Sequence, residues 1–253
     1  MMSRVFAAYG KYYDILYQDK DYDAECDIIE GLFRRYSPKP VSSVLDAACG
    51  TGGHAVPLAG RGYRITAFDA SEAMIHSARA KSDQIPFHVQ DLRDFNIEGR
   101  FDACICMFAA MNYLTATPDI QNALTGIRRH LEPERLLIFD FWNGSAVLRM
   151  LPETRVKTVS GEGRRIVRLV QPELDAEHHL CRSHYHLIVI QDNTVVDEIT
   201  ETHVVRYLFP QEIIHYLDDA GFSTLHLSSF PNLADKPDET AWNAIAVAQV
   251  KPQ

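Results

Sequence analysis

From residue 22 onward apolar side chains recur at Cys26, Ile29, Leu32, Phe33 and Tyr36, the three- and four-residue spacing of one buried helix face. Ser37-Pro38-Lys39-Pro40 ends that helix, because proline cannot continue it. Residues 41–48 then run apolar into Cys49-Gly50-Thr51-Gly52-Gly53, and a helical pattern resumes at His54 and continues through Leu58 and Ala59. This is strand, glycine turn, helix. Residues 63–68 predict a second strand ending at Asp69, and Ser71 is a fitting N-cap for a helix with Met74, Ile75 and Ala78 on one face. Residues 85–90 predict a third strand ending at Asp91, and residues 101–108 a fourth. Thr117 and Pro118 open a helix whose inner face is Ile120, Leu124, Ile127 and Leu131, and residues 135–139 predict a fifth strand ending near Asp140. Helical segments of this length between strands imply a parallel sheet with right-handed crossovers.

The pattern changes after residue 152. Residues 165–170, 181–191 and 195–206 read as strands joined by polar turns, notably Gln191-Asp192-Asn193, with no long helical period between them. Pro210 opens a last helix with Ile213, Ile214 and Leu217 inward and Gly221 as its stop. Residues 222–229 and 242–250 follow as two strands with no helix between them, so the second pairs antiparallel with the first. The expected organisation is an N-terminal helical lid over 1–40, a ligand-binding α/β domain over 41–151 and 208–253, and an antiparallel β insertion over 152–207 that caps the substrate.

Composition narrows the partner. With 25 Lys and Arg against 34 Asp and Glu the net charge is −9, which disfavours nucleic acid and anionic membranes and leaves a small molecule. The apolar run 103–111 is too short to cross a bilayer, and the N-terminal stretch has no apolar signal region. Five cysteines form an odd set without a C-x-x-C pair, so the expectation is a reduced, cytoplasmic protein with no thiolate metal site.

Gly50-Thr51-Gly52-Gly53-His54-Ala55 fits the spacing G-x-G-x-x-A, and Asp69 lies 19 residues after Gly50, where a dinucleotide fingerprint places its ribose carboxylate. A nicotinamide-dependent oxidoreductase is therefore one reading. Asp46 opposes it, because a carboxylate beside the turn would repel a pyrophosphate and attract a cation. S-adenosyl-L-methionine (SAM) carries a sulfonium and an ammonium and no phosphate. In that reading Asp46 and the Gly50 to Gly52 backbone face the methionine part, Asp69 accepts the ribose hydroxyls and Asp91 accepts the adenine amino group. Any one of these aspartates could instead serve as a helix cap or turn residue, but three at successive strand ends are harder to explain that way.

Through LDAACGTGGH (45–54), FDAS (68–71) and QDLRDF (90–95) the sequence resembles the class I SAM-dependent methyltransferases. YYDILYQDKDY (12–22), MFAAMNYL (107–114) and HLEPE (130–134) are most similar to the branch that N-methylates nucleotide-linked amino sugars. That branch usually has Gly-Gly where this chain has Glu134-Arg135, and a glycine-rich loop where it has residues 235–240. The resemblance implies a Rossmann-like seven-stranded sheet in the order 3-2-1-4-5-7-6, with Ala48, Ala70, Leu92 and Met107 joining the three aspartates and Gly50 and Gly52 at the cofactor. It also implies Tyr13 under the lid and Tyr113 on the acceptor side as catalytic groups.

Methyl transfer from a sulfonium needs alignment more than base catalysis, so an amine acceptor suits this set. O-methylation of a sugar or other metabolite is the alternative, and a non-catalytic SAM-binding protein is a further one. The basic stretch 149–170 makes Arg164, Arg165 and Arg168 candidates for holding a pyrophosphate on a nucleotide-linked acceptor. The histidines at 178, 179, 184, 186 and 203 lack an acidic ligand set at metal spacing, so no metal is expected, and one of them could act as a proton sink. A homodimer is compatible with all of these readings.

Overall fold

The computed structural model describes residues 5–252; residues 1–4 of the expected lid lie outside them. A 3₁₀ turn (Tyr9–Tyr12) runs into the single helical turn α1 (Tyr13–Leu16) and then α2 (Tyr22–Tyr36). Asp21 caps α2 by accepting the Ala24 N–H at 2.9 Å. The alternating region follows as β1 (Ser43–Ala47), α3 (Ala55–Gly60), β2 (Arg64–Asp69), α4 (Glu72–Lys81), β3 (Phe87–Val89), β4 (Phe101–Cys106), α5 (Thr117–Arg129), β5 (Leu131–Trp142) and α6 (Gly144–Met150). An excursion through β6 (Arg155–Gly161), β7 (Arg164–Asp175), β8 (Leu180–Gln191) and β9 (Thr194–Arg206) leads back to α7 (Pro210–Asp219), β10 (Phe222–Ser229) and β11 (Asn243–Val250).

The large sheet has the order β3-β2-β1-β4-β5-β11-β10. Numbered within that sheet alone, the order is the expected 3-2-1-4-5-7-6. Only β11 runs against its neighbours, pairing antiparallel with both β5 and β10. Successive strand residues point to opposite faces, and both faces are buried. Leu45, Cys104, Leu137 and Phe139 face the α5 and α7 side with Ile120, Leu124 and Leu217, whereas Val44, Ala103, Ile105 and Ile138 face Ile29, Phe33 and Leu58 of α2 and α3. The strands β6-β7-β8-β9 form a separate antiparallel sheet. Its inner face (Val159, Ile166, Leu187, Val189, Ile199) packs against Tyr9, Tyr12, Ile15 and Leu16 of the N-terminal segment, so the insertion and the lid share one core.

Three elements depart from expectation. β6 has Arg155 and Lys157 on the face that carries the buried Val159 and an exposed Val156 on the other, and so shows no apolar alternation to read. α6 buries only Gly144, Ala146 and Val147, too few for a helical stripe. β5 also begins earlier than residue 135, and its pairing with β4 slips between Leu131 and Leu136. Within that slip Glu134 adopts φ 63°, a left-handed conformation that costs a side-chain-bearing residue free energy and glycine very little. Glu134→Gly is therefore expected to stabilise the protein by about 0.5–1 kcal/mol; urea unfolding with an unchanged or lower midpoint would count against it.

Candidate functional site

The cavity lies over the carboxyl ends of β1, β2 and β4, where parallel sheets open toward a ligand. It measures about 490 Å³ and is roofed by the lid and by the inner face of β8 and β9. Its floor is the turn after β1. Ala48, Gly50 and Gly52 have φ of 57°, 56° and 81°, so the backbone bends there in a region that glycine tolerates best. Asp69 fastens the turn, accepting the Gly50 N–H at 2.9 Å on one oxygen and the Ser71 N–H at 2.8 Å on the other. A Cβ on Gly53 would stand 2.4 Å from the Tyr22 ring, which explains a third small residue where α2 crosses. Asp14 draws the lid onto the same turn by accepting from Thr51 Oγ1 at 2.6 Å and Lys81 Nζ at 2.8 Å.

Four carboxylates line the cavity: Asp46, Asp69, Asp91 and Asp140. Asp46 is 1% exposed, and its Oδ2 has no hydrogen-bond partner. Burial, reinforced by the charge of Asp69, pushes its carboxyl up to about 8. Burial raises Asp69 as well, against the pull of its backbone donors. Asp140, at the end of β5, is pushed up to about 7 by burial while accepting the Ala109 N–H at 2.9 Å. That bond holds the turn at Phe108 and Ala109, two residues with φ of 65° and 56°. Asp91 differs, because Arg93 engages both its oxygens and lowers its carboxyl. Among the described lining residues Arg93 is the only lysine or arginine, so the cavity favours a cation.

Of the cofactor positions expected from sequence, Asp46, Ala48, Gly50, Asp69, Ala70, Asp91, Leu92 and Met107 line the cavity, and Gly52 lies just behind it against Phe87. Tyr13 and Tyr113 both line the cavity. Tyr13 packs on Tyr17 with ring centroids 4.6 Å apart, and the Tyr113 hydroxyl lies 2.9 Å from His203 Nδ1. Burial raises both phenols well above their ordinary range, so they remain protonated. The three arginines are a correction: none lines the cavity. Arg165 points to the outer face of β7 beside Ile190, and Arg164 meets Glu162 at the hairpin tip. Arg168 faces inward but lies under the lid, donating to the Tyr9 and Tyr17 hydroxyls at 3.3 and 3.2 Å.

Sequence reasoning assigned no role to Asp140, Tyr17, Tyr185 or Trp142, all of which line the cavity. Asp140 had the same signal as the other three aspartates, an acid at a strand end. The histidines separate by strand parity: His184 and His186 turn outward to Thr202 and Glu198, whereas His203 turns inward. Among the described residues no group of three or more His, Cys, Asp or Glu side chains could hold a metal ion, and no helix is long and apolar enough to cross a membrane.

Residues 44–134 match the family described as a methyltransferase domain. The chain is 28% identical over 228 residues, 87% of its length and 92% of the relative's, to a dTDP-3-amino-3,4,6-trideoxy-alpha-D-glucopyranose N,N-dimethyltransferase of Streptomyces venezuelae. Among solved structures it is similar to a sugar N-methyltransferase from Streptoalloteichus, at 26% identity and a TM-score of 0.80, covering 95% of this chain and 93% of that one. An S-adenosylmethionine-dependent methyltransferase from Clostridium acetobutylicum shares the fold, with a TM-score of 0.79 at 20% identity over 95% of this chain and 96% of that one. The cavity fits SAM on its own chemistry: the unpartnered Asp46 oxygen and the acidic lining suit a sulfonium and an ammonium and would repel a pyrophosphate, which disposes of the nicotinamide reading. With these relatives, this sheet order and this acidic cavity, the chain is a class I SAM-dependent methyltransferase that resembles the branch acting on nucleotide-linked amino sugars.

Proposed function

We propose that this enzyme N-methylates the amine of a nucleotide-linked amino sugar. The observation that carries the reading is the contrast between the two halves of the cavity. Carboxylates gather at the strand ends, while the opposite wall presents Tyr13, Tyr17, Tyr113 and Tyr185 beside His203. Burial keeps Tyr13, Tyr113 and Tyr185 protonated, so that wall offers hydroxyls with little charge of its own. A neutral amine needs only to be held in line with the methyl group, and uncharged hydroxyls can orient it without competing for that group. The dTDP-amino-sugar and sugar N-methyltransferase relatives support the same acceptor.

Bound SAM supplies a methyl group on an already activated leaving group. Asp46 and the Gly50 turn would hold its methionine part, Asp69 its ribose and Asp91 its adenine. Phe6, Tyr9 and Tyr13, which line the cavity, would cover the reacting centre and exclude water. Arg164, Arg165 and Arg168 stand outside the wall, and Arg93 inside it is engaged by both oxygens of Asp91.

The test is transfer of labelled methyl from SAM to dTDP-3-amino-3,4,6-trideoxyglucose and to its 3-hydroxy counterpart. Label on the amine alone supports the proposal, and label on the hydroxyl sugar alone makes the enzyme an O-methyltransferase. Tyr13→Phe and Tyr113→Phe are each expected to slow turnover by about 10- to 100-fold without abolishing it, because alignment dominates. The pH profile of kcat/KM should climb through the acceptor amine's own pKa, since only the neutral amine has a lone pair to give.

A further inference from the structure

His203 lies on the inner face of β9, 2% exposed, at the meeting point of the lid, the insertion and the cavity. Its two ring nitrogens have different partners. Nε2 lies 3.2 Å from Glu201 Oε2, and Nδ1 lies 2.9 Å from the Tyr113 hydroxyl. A carboxylate can only accept, so in the neutral imidazole Nε2 carries the hydrogen and Nδ1 is left as an acceptor. Tyr113 must then donate its own hydrogen to Nδ1. Glu201 is fixed from its other side by the lid, accepting the backbone N–H groups of Phe6, Ala8 and Tyr9, each at 2.9 Å. Burial alone would raise the Glu201 carboxyl; the hydrogen bonds from His203 and these three amides outweigh it and lower the carboxyl. The other groups facing the imidazole are Tyr185 of β8 and Tyr9 of the lid, with ring centroids at 4.6 and 5.5 Å, and the Phe6 ring at 4.7 Å. Burial keeps both tyrosines protonated, and Glu201 is the charged group hydrogen-bonded to the imidazole.

We propose that His203 is the positioning residue of the acceptor half: by taking the Tyr113 hydrogen at Nδ1 it turns the Tyr113 oxygen lone pairs toward the acceptor nitrogen, and through Tyr113 it receives the proton that nitrogen sheds. The inference rests on the reading that an amine is methylated beside Tyr113. The acceptor nitrogen forms its bond to the methyl carbon as that carbon's bond to sulfur breaks, and the positive charge passes from sulfur to nitrogen. The surplus N–H proton then moves to the Tyr113 oxygen while the Tyr113 hydroxyl proton moves to Nδ1. The result is a neutral methylated amine, a neutral tyrosine and an imidazolium facing Glu201, which later returns the proton to water. Tyr113 is too deeply buried to persist as a phenolate, so it conducts the proton and does not store it. Because Glu201 also grips the lid backbone, the relay is aligned only when the lid is seated.

The experiment has two parts, both on the full chain. Histidine ¹⁵N NMR, with His203 assigned by difference from His203→Gln, should show the Nε2–H tautomer, and Glu201→Gln should weaken that preference; an Nδ1–H tautomer in the unmutated protein overturns the proposal. In steady-state assays with the dTDP-amino sugar, His203→Asn, whose amide oxygen can still accept from Tyr113 but cannot be protonated, should lower kcat by about 10-fold or more. Acceptor KM and SAM affinity should stay within about two-fold. In a Tyr113→Phe background the same change should cost less than about two-fold, because a relay acts as a unit. A loss that multiplies independently of Tyr113 overturns the proposal. If the wild-type enzyme transfers no methyl to this sugar, the proposed function fails, and the tautomer decides the His203 assignment by itself.

Discussion

Asp69→Ala is expected to weaken SAM binding by about 3–6 kcal/mol, on the order of 10²–10⁴ in Kd, because a carboxylate that accepts two ribose hydroxyls contributes about 1.5–3 kcal/mol per bond. The loss has a second source. Asp69 already accepts the Gly50 and Ser71 amides, so its removal unfastens the glycine turn from the end of β2. Asp69→Asn separates the two contributions. Its amide oxygen can retain one backbone donor and one hydroxyl, and its affinity should fall between those of the wild type and the alanine variant. Calorimetry with SAM and with S-adenosylhomocysteine should show similar losses for both, since the ribose is common to them. Unchanged affinity in Asp69→Ala would remove the ribose assignment, and with it the reading of the strand-end acids as one cofactor site.

How legible these features were depends on what each residue must satisfy. Asp46, Asp69 and Asp91 could be found because each ends a short apolar strand before a turn or cap, and a parallel sheet brings those ends to one edge. Asp140 showed the same signal near the end of the fifth strand but was given no role, and β5 in fact runs on through Phe141 and Trp142. The basic stretch misled for a related reason. Charge summed over 149–170 suggests one surface, yet strand alternation sends Arg165 to the face opposite Arg164 and Arg168. The inward guanidinium of Arg168 is already engaged by the lid tyrosines. His203 needed tertiary information as well: parity separates it from the outward Thr202, but only the packing of the insertion on the lid brings it to Tyr113 and gives it Glu201. Local pattern therefore reveals the acidic edge of the cavity, where each strand end carries one carboxylate. The tyrosine-lined wall is assembled from the N-terminal segment, the turn after β4 and two strands of the insertion, which pattern alone does not join.

Asp46 provides the remaining large effect, and its sign follows from where the proton resides. Its carboxyl moves from an ordinary 3.8 to about 8 in the folded, ligand-free protein. Between those values the folded chain keeps a proton that the unfolded chain has lost. This contribution to stability is therefore fully present below about pH 4 and is lost progressively as pH rises to about 8, amounting to several kcal/mol at the upper end. Asp46→Asn cannot ionise, so at pH 8 it should make the ligand-free protein more stable by about 2–4 kcal/mol, less than the full amount because the new amide also lacks a partner. SAM should reverse the balance. A cationic ligand facing the carboxylate favours its charged form, so binding at pH 7 should expel close to one proton from Asp46, with a smaller contribution from Asp140, itself near 7. SAM affinity should accordingly rise by roughly tenfold per pH unit toward pH 8 and then level off. Calorimetric titration in phosphate and in Tris, whose ionisation heats differ, counts the protons released. In Asp46→Asn most of that release and most of the pH slope should disappear, together with much of the SAM affinity. A variant that gains stability, binds SAM as well as the wild type and releases the same proton would mean that the cationic end of the cofactor lies elsewhere in the cavity, with Asp140 as the carboxylate left to meet it.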